Sequence, residues 1–287
     1  MTRRSLGRVP ANRRLSVLRG GPPRTRVCAP VGAGSARDLL TQSATDRGRS
    51  PLPPSAADLD PACLPGLLQL ASAALPIGAF SHSLGLEAAV EAGVVRDAAG
   101  AERWIGDYLD LCWARGDAPL WLRAHAAWES AELGELHALN DRVLAVRESS
   151  ELLLECTQTG HSLRQWLLAL PALPALGPDQ RQTLAALQPL AYVTAHALAA
   201  RALGLPPDLG LHAAGWGLLE NLSTAAVKLV PLGQTQGQAM LRRLALRLPD
   251  AVARAMATSD GAITHFAPML AIRSAQHETQ YSRLFRS

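Results

Sequence analysis

The sequence predicts an all-α fold: a single-domain helical bundle of about eight to ten helices behind a disordered N-terminal extension. Three observations carry this reading. The chain is 48% hydrophobic but only 4% aromatic, and it is rich in leucine and alanine and thin in β-branched residues, so helix formers outnumber strand formers. From Leu67 onward apolar residues recur at helical spacing, punctuated by prolines and glycines at intervals suited to helix ends. No Asn-Gly or Asp-Gly pair joins two alternating apolar runs; Asp260-Gly261 lies between helical patterns instead.

Residues 1–62 read as the extension. They are rich in Arg, Pro, Gly and Ser without periodicity, a composition that buries too little surface to offset the entropy of ordering. Residues 1–50 hold eleven arginines against Asp38 and Asp46, a net of 11 − 2 = +9, so the remainder of this +4 chain carries 4 − 9 = −5. The basic character therefore belongs to the extension and is no argument for a nucleic-acid-binding domain. An organellar transit segment, or a start codon set too far upstream, gives the same pattern. Residues 63–287 read as the helical domain with a C-terminal tail.

Within that domain Asp97 is placed to cap a helix carrying Ala101, Trp104, Ile105, Tyr108, Leu111 and Cys112. Asp117 and Pro119 predict the opening of the next, with Leu120, Ala124, Ala127 and Trp128. Leu136, Leu139, Val143 and Leu144 mark a further one. After Ser149 and Ser150 a long helix aligns Leu152, Cys156, Thr159, Leu163, Trp166 and Leu170 until Pro171 stops it. Later helices are expected near 189–203, 211–229, 236–248 and 250–257.

No catalytic constellation emerges. His277-Glu278 begins like a zinc-protease helix, but Tyr281 stands where the second histidine is needed. Ser81, His82 and Ser83 are sequence neighbours that point apart, and they lack a Gly-x-Ser-x-Gly elbow. Gly233-Gln-Thr-Gln-Gly237 lacks the lysine and hydroxyl of a nucleotide P-loop and reads as a tight connector. The four cysteines, Cys28, Cys63, Cys112 and Cys156, form no Cys-x-x-Cys pair, which indicates neither a disulfide framework nor a zinc knuckle. No apolar stretch nears the roughly 20 residues needed to span a bilayer. The cytosol is the default compartment.

Three segments stand out from an ordinary helical core. Leu75-Pro-Ile-Gly-Ala-Phe-Ser-His-Ser-Leu-Gly-Leu-Glu87 is a corner broken by Pro76 and Gly78, with Ser81 or Ser83 available as a cap. It is either a capped turn with Phe80 packed inside or an exposed binding edge. In Trp216–Gly237 a wide apolar face lies beside Glu220, Thr224 and Lys228 at successive i, i+4 positions, with Asn221 adjacent. Lys228 is the sole lysine of the chain; this stripe is either a solvated ladder or a site that wants a flexible ammonium. The C-terminal run from Ser274 is polar, with Tyr281, Leu284 and Phe285 among Arg283 and Arg286. It is either a frayed end or a segment that orders against a partner.

Together these segments resemble the UreF family of urease accessory proteins over about Leu67–Ser287. The marks are residues 75–87, Val-Lys-Leu-Val-Pro-Leu-Gly-Gln-Thr-Gln-Gly-Gln (227–238) and His-Glu-Thr-Gln-Tyr-Ser-Arg-Leu-Phe-Arg-Ser (277–287); Arg147-Glu148 and Glu220-Asn221 also resemble family positions. The resemblance implies an all-helical, non-catalytic scaffold, dimeric within a complex, that bridges UreD (UreH in some bacteria) and the GTPase UreG on apo-urease. It implies no tightly bound cofactor and no metal ligands of its own; nickel may pass through the complex. It places Glu87, Glu220, Asn221, Lys228 and Arg283 on the UreG side, and His277, Glu278, Tyr281, Leu284, Phe285 and Arg286 on the UreD side. Pro76, Gly78, Phe80 and His82 form the motif corner. His82 stands where tyrosine is frequent, Gln276 where arginine is, and Asn221 where an acid can occur.

Overall fold

The computed structural model describes residues 60–130, 132–170 and 176–286. Residues 1–59, nearly all of the expected extension, lie outside that range, as does Pro171. The described residues begin at Asp60, whose carboxylate accepts the Ala62 N–H and caps a 3₁₀ turn, Pro61–Cys63.

Among the described residues the structure is helical, with no strand. After α1 (Leu64–Leu70) and the corner comes the short α2 (Leu86–Glu91). Asp97 caps α3 (Ala98–Asp107) as expected, accepting the Gly100 N–H at 2.7 Å. The predicted break at Asp117 does not occur. The rod runs on through a π-wound stretch, Tyr108–Asp117, into α4 (Ala118–Ser130). Wider winding absorbs the hydrogen bond that Pro119 cannot donate, and Asp117, needed at no helix end, turns inward.

The helices α5 (Leu133–Ala145) and α6 (Ser150–Ala169) fall where periodicity puts them, and Ser149 Oγ caps α6 by accepting from Leu152 N–H at 3.1 Å. Helical spacing in the sequence predicts no helix where α7 (Pro178–Ala186) forms. This helix buries Leu184 and is tied to its neighbours by Gln180, which accepts from Gly177 N–H and donates to the Trp128 carbonyl of α4. The remaining helices are α8 (Tyr192–Ala202), α9 (Pro207–Leu229), α10 (Gln234–Ala245), α11 (Leu248–Ala257) and α12 (Pro268–His277). The last starts in a stretch for which the sequence predicts no helix and overlaps the C-terminal run only at Ser274–His277.

α8 is the centre. It packs on α4, α6, α5 and α9, and nearly all of its residues are buried. Small side chains let the neighbours close in: a Cβ on Gly160 of α6 would collide with the Leu190 carbonyl just before α8. Trp128 of α4 is fully buried and donates its Nε1–H to the Thr194 carbonyl at 2.9 Å. Trp121 donates to His196 Nδ1 at 3.0 Å, and burial pushes that imidazole down to about 3, so it stays neutral. Cys112 and Cys156 are buried free thiols. No helix among the described residues is long and apolar enough to cross a membrane.

Candidate functional site

The corner begins with Gly78 at φ +76° and a 3₁₀ turn, Ala79–Ser81. Phe80 is 66% exposed, so the ring does not pack inside the corner. Ser81 Oγ donates to the Gly78 carbonyl, while Ser83 Oγ accepts from Glu87 N–H. Both hydroxyls therefore organise turns. Leu84 and Gly85 follow with φ of +52° and +79°. A left-handed leucine costs about 1–2 kcal/mol; here the residue is buried, so packing offsets the strain. The reversal starts α2 with Glu87 in its first turn, pointing inward.

Glu87 is the anchor of the C-terminal segment. Its Oε1 accepts from Leu284 N–H at 2.6 Å, and its Oε2 accepts from Phe285 N–H at 2.8 Å and faces His277 Nε2 at 3.1 Å. The other ring nitrogen of His277 faces Glu151 Oε2 at 2.7 Å, and Arg283 reaches Glu151 Oε1 at 2.7 Å. Glu151 sits in the first turn of α6, where the helix dipole favours an acid. Two carboxylates on one imidazole require a proton in each contact, because two acceptors cannot share a hydrogen bond. Ser149 and Ser274 pair at 2.6 Å, Glu278 accepts from Ser150 N–H, and Arg286 N–H donates to the Ser81 carbonyl at 2.8 Å. The tail is thus stapled to the N-termini of α2 and α6 and to the corner.

A second ionic cluster lies within the bundle. Arg147 forks onto Asp117 at 2.6 and 3.2 Å, and His265 Nε2 meets Asp117 Oδ1 at 2.9 Å. Burial raises the Asp117 carboxyl, but Arg147 and His265 outweigh it and hold the acid well below the usual range. Asp117 and Arg147 border a cavity of about 170 Å³ whose lining includes Tyr108, Glu155, Tyr192 and Asn221. There burial pushes Glu155 up to about 7 and the Cys156 thiol to about 11. Arg147 Nε has no hydrogen-bond partner. Among the described residues no group of three or more His, Cys, Asp or Glu is placed to hold a metal ion.

The structure separates the residues the resemblance grouped. On the UreG side, Glu220 and Asn221 line the cavity, and Asn221 also donates to the His82 carbonyl at 3.0 Å. Lys228, two turns on, lies outside, its ammonium 5.5 Å from the centroid of the Phe285 ring. Glu87 is buried, and Arg283 is spent on Glu151. On the UreD side, His277 and Phe285 are buried, whereas Tyr281 and Leu284 are exposed. Glu278 caps α6, and Arg286 reaches the surface beside the buried His82. Pro76 is exposed at the corner.

Comparison with known proteins places this geometry. The UreF family's sequence model matches residues 95–245. The chain belongs to the UreF family. Similar proteins, each named urease accessory protein UreF, include those of Polynucleobacter asymbioticus (44% identical over 224 residues, 77% of this chain and 96% of the relative) and Azoarcus sp. (48% over 221 residues, 77% and 94%). That of Cupriavidus necator is 48% identical over 224 residues, 77% of this chain and 96% of the relative. The UreF match begins at Val95, so the corner and the tail lie outside it, while Glu151 of the tail cluster and Asp117 and Arg147 of the cavity cluster lie within.

Sequence reasoning missed Glu151, His265 and the inward role of Asp117. Glu151 carried a signal, an acid in the first turn after a Ser149 cap. Nothing local marked His265, whose partner is 148 residues away.

Proposed function

We propose that this UreF-family chain is a urease accessory protein that acts as a non-catalytic scaffold. It joins UreD (UreH) to the GTPase UreG on apo-urease, works as a homodimer within that complex, and gates GTP-dependent passage of nickel into the urease site. The observation that carries the reading is the stapled tail. Glu87, His277, Glu151 and Arg283 bind one another inside the chain, and the result is an external surface bearing Phe80, Lys228, Tyr281 and Leu284. Exposed aromatics beside cations are the usual anchors of protein interfaces.

On this reading the partner-facing groups fall into two sets. Tyr281, Leu284, Arg286 and Lys228 touch partners directly, while Glu87, His277, Glu278 and Phe285 act through the backbone position they impose. Nickel is cargo here. The test is copurification with UreD and UreG, followed by nickel-dependent urease activation with and without the chain. Activation that is unchanged in its absence contradicts the proposal.

A further inference from the structure

A surface groove of about 690 Å³ runs between the corner, one side of α6 and the turn before α8. Its walls include Ser81, Gln158, His161, Arg164, Pro189 and Arg286, and no carboxylate is among the residues that line it. Arg164 and Arg286 have no ion-pair partner among the described residues, although seven other arginines do. Arg164 donates to His161 Nδ1 at 3.2 Å, which leaves the proton of a neutral His161 on Nε2, as a second donor. At the floor His82 is neutral, since burial and the nearby Arg286 lower it to about 4. The groove is therefore a cationic, donor-rich strip on a body whose net charge is −5 over residues 51–287.

We propose that this groove is a docking site for an acidic segment of a protein partner, seated with carboxylates on Arg164 and Arg286. Charge complementarity selects this occupant. Two guanidiniums carry ten N–H donors, one of them already given to His161, and no acceptor, and burial of either against a neutral or basic surface would leave its charge uncompensated. The chain's own residues 1–50 carry net +9 and are repelled. A groove of this size is also larger than a single small anion requires.

This inference rests on the scaffold reading, and one experiment separates their failures. With UreD and UreG as the assembled partners, a photoreactive residue at exposed Gln158 is irradiated and the cross-linked peptide sequenced. The expected product is a partner segment with at least two Asp or Glu beside the linked residue. Arg164→Glu should lower the affinity of assembly about tenfold, and Arg164→Lys should retain most of it. A cross-link to a neutral or basic segment, a cross-link to a second copy of this chain, or unchanged assembly by Arg164→Glu without any cross-link each overturns the docking site. If the unmodified chain fails to assemble with these partners, the scaffold reading and the docking site fall together. Circular dichroism of Arg164→Glu checks that the exposed substitution leaves the helices intact.

Discussion

The two buried ionic clusters are built from similar groups yet do different work. The tail cluster binds segments 126 to 198 residues apart in sequence and meets every ring nitrogen and anchoring carboxylate oxygen with a partner. It sits at helix N-termini, and one edge of it is surface. The cavity cluster lies inside the bundle, keeps an orphan donor on Arg147 and faces a space rather than a packed wall. A closed network at a helix end holds a segment in place. An incompletely paired one beside a cavity holds charge in place, and that asymmetry governs what each mutation breaks.

The largest effect is expected at Arg147. Arg147→Ala leaves Asp117 buried with His265 as its remaining side-chain partner, and breaking a buried pair from one side costs about 3–5 kcal/mol. Equilibrium urea unfolding should show this as global destabilisation. A loss below about 1 kcal/mol would mean that water already solvates Asp117 through the cavity.

His277→Ala should act locally. It strands Glu87 and Glu151 facing a gap, and the tail amides of Leu284 and Phe285 then lose their fixed acceptor. A local cost of about 2 kcal/mol corresponds to roughly thirtyfold faster hydrogen exchange at those two amides, with trypsin cutting sooner after Arg283. Exchange in α8 should not change. If α8 loosens equally, the tail cluster supports the whole bundle and the contrast between the clusters disappears.

The clusters also differ in how legible they were in the sequence. Helix spacing and caps gave the bundle well: Asp97 and Ser149 cap as expected, because a cap is a relation between residues three apart. The break at Asp117 was misread because a proline one turn into a helix and a proline inside a π-wound rod look the same locally. α7 and α12 escaped because their short apolar patterns are weak without the neighbours they pack on. At the site, His277, Glu87 and Phe285 were marked only through the family resemblance, which put Glu87 with one partner and the other two residues with another. That they bind one another is a tertiary fact, since no spacing rule relates positions 190 residues apart.

pH sharpens the comparison within the cavity itself. Glu155 titrates near 7 in the folded chain instead of its ordinary 4.5. Between those values the folded state keeps a proton that the unfolded state has released, so Glu155 makes stability fall as pH rises, with the loss complete above about 7. Asp117 has the opposite sign: its contribution is present above the ordinary carboxylate value and is lost as pH falls. Glu155→Gln should flatten the profile between pH 5 and 8 and add about 1 kcal/mol at pH 8. A mutant that keeps the wild-type slope would assign the titration to another group.

The smallest expected effect on stability is at Lys228, and there it separates packing from recognition. The ammonium lies 5.5 Å from the Phe285 centroid, and an exposed cation–π contact is worth about 0.5–1 kcal/mol. Lys228→Ala should therefore cost no more than that in urea unfolding, while UreG capture by the chain with UreD weakens on the scaffold reading. Lys228→Arg preserves the charge over the ring but replaces the compact ammonium by a planar fork. If the arginine variant unfolds like wild type yet captures UreG poorly, the lysine is read by the partner. Full capture by both variants would reduce Lys228 to a prop for Phe285, and the surface outside the tail cluster would then owe its function to Tyr281, Leu284 and Arg286.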